Sequence, residues 1–104
     1  MDKSHPAREK IVSLSRGMIS GDIDLIDGSR EISRLRFAVG DPDSEVFLVF
    51  RGVDSETDHL PRGEVRKQAS PEHLRRADAE AADYLSGMRD VILVACNKLI
   101  EAYS

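Results

Sequence analysis

The residues most able to do chemistry lie between residues 53 and 66, where Asp54, Glu56 and Asp58 alternate along the chain and His59 follows them. Carboxylates at the first, third and fifth positions are typical of a calcium-binding loop. Such a loop also needs glycine at its sixth position and a bidentate glutamate at its twelfth, and this chain has neither. A second interpretation stays open, in which these three carboxylates and His59 serve a small metal- or ligand-binding enzyme domain.

Other groups with catalytic potential are isolated from one another. The histidines His5, His59 and His73 are far apart and lack the spacing of zinc ligands. Cys96 lies among Val, Ala and Leu in a helical pattern, which favours a small core residue over a nucleophile. The sequence has no glycine-rich phosphate loop and no serine nucleophile elbow. We therefore predict no catalytic residues, no metal site and no cofactor.

Negative charge is concentrated in residues 41–60, which hold one arginine and six carboxylates in a chain of net charge −4. An acidic surface of this kind repels nucleic acid and attracts a basic partner. We expect the carboxylates to lie on one shared face that binds a partner protein without direct contact to nucleic acid. The predicted partner-binding residues are Asp41, Asp43, Glu45, Asp54, Glu56 and Asp58.

Size and composition predict one small helical domain over residues 1–104. Apolar residues make up 40% of the chain and charged residues 33%, which is typical of a globular protein with little core to spare. A single cysteine excludes an internal disulfide and fits a reducing cytosol. No apolar run approaches the roughly 20 residues of a membrane span. We expect a soluble cytoplasmic protein that does not bind membranes.

Apolar side chains recur at helical spacing in the first forty residues. The pattern predicts a first helix over residues 5–20, which Gly21 ends. A polar connection at residues 22–29 follows, and its acidic side chains are suited to cap a second helix that runs to about Val39.

Asp41 and Pro42 are typical of a helix start, because proline is tolerated in a first helical turn. The five apolar residues 46–50 fit either a buried strand or one face of a helix. No other segment offers a strand to pair with, and an unpaired strand would leave its backbone groups without hydrogen bonds. We therefore favour a helix at residues 46–50.

Residues 53–69 are predicted to form a structured acidic loop, because proline and glycine interrupt any regular pattern there. Four residues are expected to hold this loop rigid: His59, Pro61, Gly63 and Arg66. Its carboxylates fit two roles that the sequence leaves open. They can bind a partner, or they can cap neighbouring helices and pair with the basic residues of the loop.

Ser70 and Pro71 begin the last helix, and an apolar stripe continues from there to the C-terminus. A helix of about 33 residues would be about 50 Å long and would overhang a compact domain of this size. Either it breaks near Ser86 and Gly87, or a second copy or a partner covers part of it. The predicted fold is an all-α bundle of about four helices, either monomeric or weakly dimeric. A third interpretation is a helical dimerisation module built on residues 71–103.

The run VDSETDHLPRGEVR, with SRLRF before it and SPEHLRRADAE after it, resembles small uncharacterised bacterial proteins that share a D-S-E-T-D-x-L-P signature. Some small acidic bacterial proteins of this kind are similar to immunity proteins of contact-dependent growth inhibition. That resemblance implies a protein that is not an enzyme and that binds and neutralises a cognate toxin. Nucleases need basic channels to hold phosphate backbones, and an acidic surface such as that of residues 41–60 would bind to such a channel. We therefore expect the toxin to be a nuclease.

Overall fold

Helices form almost all of the regular structure in the computed structural model, which describes residues 5–104. This part of the chain contains no strand, so the predicted all-α fold with a long C-terminal helix is confirmed. The four α-helices are α1 (His5–Ser20), α2 (Leu25–Ala38), α3 (Leu48–Thr57) and α4 (Pro71–Tyr103), and two 3₁₀ helices cover Glu45–Phe47 and Gly63–Gln68.

Local capping signals fix three of the helix boundaries. Helix α1 has the predicted bounds, and Gly21 follows it with a φ of 89° that favours glycine. The Asp24 side chain accepts hydrogen bonds from two backbone N–H groups of the first turn of α2. The Ser70 side chain accepts one hydrogen bond, from the His73 N–H in the first turn of α4, and Pro71 occupies the first helical position. Helix α2 starts earlier than predicted because Leu25 and Ile26 are already buried.

The third helix begins later than the Asp41–Pro42 signal predicts. The Asp41 backbone N–H donates to the Arg36 carbonyl, and the Ser44 backbone N–H donates to the Asp41 carbonyl. Residues 41–44 therefore form a turn and not the first turn of a helix. Ser44 then caps the 3₁₀ helix that leads into α3. The prediction that residues 46–50 are helical is confirmed, and this arrangement buries Phe47 and Phe50 completely.

The predicted loop at residues 53–69 is shorter than the sequence suggested, because its first five residues continue α3. Val53 and Thr57 lie one turn apart and are both buried, so the core extends the helix to this point. The Thr57 hydroxyl also donates to the Val53 carbonyl at 2.7 Å. The remaining segment makes a turn and then the second 3₁₀ helix, which starts at Gly63 with a φ of 57°.

Helix α4 runs without interruption for the expected 33 residues, so of the two alternatives the break near Ser86 and Gly87 does not occur. The Ser86 hydroxyl donates to the Asp83 carbonyl within the helix, and no atom approaches the position of a Cβ at Gly87, so nothing forces a kink. The folded chain is 48 Å long, which matches the roughly 50 Å expected of this helix. The other elements pack along its length.

The core consists of two clusters of buried side chains, one on each half of α4. The larger one joins α1, α2 and α3 to the C-terminal half of α4 through fully buried side chains such as Ile11, Ile32 and Phe50. The smaller one joins Ile26 and Leu60 to Ala77 in the N-terminal half of α4. The segment after α3 therefore packs, together with the start of α2, against the N-terminal half of α4. No helix in residues 5–104 is long and apolar enough to cross a membrane.

Candidate partner-binding surface

The six predicted partner-binding carboxylates lie along the stretch that begins before the first 3₁₀ helix and ends just after α3. Asp41 and Asp43 are in the preceding turn, Glu45 begins the 3₁₀ helix, and the other three belong to the end of α3. Within residues 5–104, none of the six forms an ion pair with a Lys, Arg or His side chain. Their charge is therefore not compensated by the fold itself.

The last turn of α3 carries Asp54 and Glu56, Asp58 caps its C-terminal end, and no basic residue lies in that turn. The C-terminal end of a helix has a partial negative charge, so carboxylates there are destabilising by about 0.3–1 kcal/mol each when exposed. Asp54, Glu56 and Asp58 thus occupy positions where the local electrostatics disfavour them.

Asp54 and Asp58 lie on one flank of α3, because residues four apart share a helix face. They line a groove with the guanidinium-bearing residues Arg36 and Arg51 and with Leu48, whose side chain is 55% exposed. Neither arginine comes within ion-pair distance of these carboxylates. The groove therefore carries acidic and basic groups along α3, with the exposed Leu48 at the start of the helix.

Glu56 lies on the opposite flank of α3, because two residues along a helix correspond to a rotation of about 200°. It approaches Tyr84 of α4, where burial raises the pKa of the phenol to about 12 and the Glu56 carboxylate adds to that rise. The Tyr84 hydroxyl itself has no hydrogen-bond partner among residues 5–104.

The remaining carboxylates face other parts of the molecule. Asp41 accepts a hydrogen bond from the Tyr103 hydroxyl at 3.3 Å, near the end of α4. Glu45 borders a different groove, between the first 3₁₀ helix and α4. The expected single acidic face is therefore not formed, and the carboxylates are distributed over different sides of α3 and of the turn before it.

The same geometry bears on the metal-binding interpretation. Asp54 and Glu56 diverge around α3, and His59 contacts Glu80 of α4 at 2.7 Å instead of joining them. Residues 5–104 contain no group of three His, Cys, Asp or Glu side chains that could hold a metal ion. The alternation that suggested a calcium loop is a helical stretch, in which neighbouring carboxylates point to opposite sides.

The segment after α3 is attached to both neighbouring helices. Arg66 donates two hydrogen bonds to the Asp78 carboxylate, at 2.8 and 3.0 Å, and these bonds hold the pKa of Asp78 below its usual value. Pro61 is buried, and Arg62 lies 3.5 Å from the Asp24 carboxylate. Of the residues predicted to hold the loop, His59 and Arg66 thus contact α4, whereas the contact with the start of α2 is made by Arg62, which was not in that set.

Sequence reasoning missed Arg30, which reaches from α2 to the end of α3. Its guanidinium donates to the backbone carbonyls of Thr57 and Leu60. The Thr57 carbonyl also accepts from the Leu60 backbone N–H at 2.9 Å, and arginine has enough donors to serve both carbonyls. The sequence offers no signal for this contact, because it depends on how α2 and α3 cross.

Comparison with protein-family models, with curated proteins and with solved structures finds no match for this chain.

Proposed function

We propose that this chain is a cytosolic immunity protein that binds a cognate toxin and blocks it stoichiometrically, without catalysis. The observation that supports the proposal is the set of carboxylates Asp54, Glu56 and Asp58 at the C-terminal end of α3, none of which forms an ion pair within residues 5–104. Carboxylates that lower the stability of their own helix and pair with no cation are well explained by a basic partner that compensates them.

The chemistry of the partner follows from this charge. Residues 41–60 hold one arginine and six carboxylates, so their field attracts a basic surface and repels nucleic acid. The substrate channel of a nuclease is such a basic surface. By occupying that channel, the outward side of α3 would exclude RNA or DNA from the toxin.

Leu48 adds an exposed apolar side chain to this surface. It lines the same groove as Asp54 and Asp58, and protein interfaces commonly combine apolar contacts with polar groups. Asp54 and Asp58 are therefore the carboxylates that we assign to the contact. Glu56 lies on the other flank of α3, and Glu45 borders a separate groove beside α4.

A first experiment separates partner binding from a structural role for the carboxylates. In the triple variant Asp54→Asn, Glu56→Gln and Asp58→Asn, we expect the free energy of unfolding to rise by about 1 kcal/mol, because unfavourable charge leaves the helix end. Urea unfolding monitored by circular dichroism measures this change. A drop in stability would mean that the carboxylates support the fold, and the proposal would lose its basis.

A second experiment measures binding directly. The toxin domain is sought in the neighbouring upstream reading frame and is co-expressed with this chain in a growth-protection assay. We expect the triple variant to lose protection and to associate at least about tenfold more slowly at low salt. A matched control neutralises the exposed carboxylates Glu72 and Asp83 of α4, and it should keep both properties. Full protection by the triple variant would refute the assignment.

A further inference from the structure

A second surface, separate from the groove of Asp54 and Asp58, lies on the C-terminal half of α4. Val91 and Val94 are 45% and 56% exposed, although most of the apolar stripe of this helix half is buried. With the half-buried Val46 and Val49 they line an apolar groove of about 360 Å³ between α4 and the start of α3. No element of the folded part of the chain covers these valines.

Gly87 lies on the same side of α4, one turn before Val91 and two turns before Val94. A Cβ at this position would meet no atom within 4 Å, so nothing inside the folded chain requires glycine. Glycine in the interior of an exposed helix is destabilising by about 0.5–1 kcal/mol relative to alanine. Its presence lets another backbone approach this face closely.

The charges beside the valines are arranged symmetrically. Asp90 precedes Val94 by four residues and Lys98 follows it by four, and both border the groove. Each therefore lies about 6 Å from Val94 along the helix axis, in opposite directions. Neither side chain forms an ion pair within residues 5–104.

From this arrangement we infer that the groove holds α4 of a second copy of the chain, packed antiparallel about a two-fold axis at Val94. The two-fold axis places Asp90 of one copy against Lys98 of the other, and the same pair forms twice. A parallel arrangement would instead bring Asp90 against Asp90 and Lys98 against Lys98. The face is therefore complementary to itself in charge, as a symmetric dimer interface requires.

The pair of opposite charges favours a second copy over a partner of one charge sign. An antiparallel copy compensates both Asp90 and Lys98, whereas a basic surface compensates Glu45 and Asp90 but leaves Lys98 against a like charge. The inference does not rest on the proposed function. A dimer of this kind covers Glu45 and leaves the flank that carries Asp54 and Asp58 open, so both contacts can form at once.

Sedimentation velocity of the full chain over a range of concentrations tests the dimer. We expect the dimer fraction of the wild type to rise with concentration, and the variant Val94→Asp to remain monomeric. Because Val94 is largely exposed, this variant should fold normally, and circular dichroism checks that it does. The matched control is Val65→Asp. Val65 is 62% exposed and lies in the second 3₁₀ helix, so dimerisation of this variant should equal that of the wild type.

A charge swap tests the antiparallel pairing. Asp90→Lys and Lys98→Asp should each weaken the dimer by roughly tenfold or more, because each places like charges against one another. The double variant carries both changes and should restore dimerisation to within about threefold of the wild type. A wild type that stays monomeric near about 1 mM, or a double variant that is not restored, would overturn the inference.

Discussion

At the scale of single residues, burial decides the chemistry of the one thiol in the chain. Cys96 is fully buried beside Met18, and burial raises the pKa of its thiol to about 11. The sequence predicted this role correctly, since the apolar neighbours of Cys96 recur at helical spacing. The buried position of a residue on a regular helix can be inferred from its local pattern.

The reactivity of Cys96 tests this account. At pH 8 the folded protein should react with Ellman's reagent at least about 100-fold more slowly than the protein in urea, because the thiol is neutral and inaccessible. Absorbance of the released thionitrobenzoate measures the rate. Rapid reaction under native conditions would show that the C-terminal half of α4 opens readily.

At the scale of elements, the sequence predicts those boundaries that local groups determine. The start of α4 follows from Ser70 and Pro71, and the end of α1 follows from Gly21. The start of α3 and the extent of the loop after it could not be predicted in the same way. They depend on the burial of Phe47 and Thr57 against other helices, which a local pattern does not specify.

The candidate surface shows the same division between local and tertiary information. The excess of carboxylates in residues 41–60 is visible in the sequence, and so is their preference for a basic partner. Their distribution around α3 is not visible in the sequence. Asp54 and Glu56 were predicted to lie in a loop, where side-chain directions are undefined. Once these residues are helical, about 200° separates their directions.

The contact between α2 and the end of α3 depends on Arg30. Replacing Arg30 by methionine should lower the free energy of unfolding by about 1.5–3 kcal/mol, because hydrogen bonds from a charged group to the Thr57 and Leu60 carbonyls are lost. Arg34→Met is the control, since Arg34 is exposed one turn further along the same helix. Equal urea midpoints for the two variants would contradict this role of Arg30.

At the scale of the whole molecule, one long helix organises both proposed contacts. Helix α4 extends along the 48 Å length of the chain and supports α3 on its C-terminal half. The flank of α3 that carries Asp54 and Asp58 is directed to a partner protein in our proposal, and the groove between α3 and α4 is directed to a second copy. Two surfaces of different chemistry thus flank α3, one with unpaired carboxylates and one with exposed valines.

The stability of the whole protein should fall at alkaline pH because of two buried groups. Burial raises the pKa of Cys96 from 9.0 to about 11 and that of Tyr84 from 10.0 to about 12. Both groups bind their protons more tightly in the folded protein than in the unfolded chain. Their contribution to stability is therefore complete below about pH 9 and is lost as the pH rises towards 12.

The variant Tyr84→Phe separates the two groups. It keeps the ring but removes the phenol, whose hydroxyl has no hydrogen-bond partner among residues 5–104. Its stability at pH 7 should therefore equal or slightly exceed that of the wild type, since a buried unpaired hydroxyl is lost. Between pH 10 and 12 its urea midpoint should fall less steeply, because only the thiol of this pair still titrates. The same slope in both proteins would show that Tyr84 ionises as freely in the folded protein as in the unfolded chain.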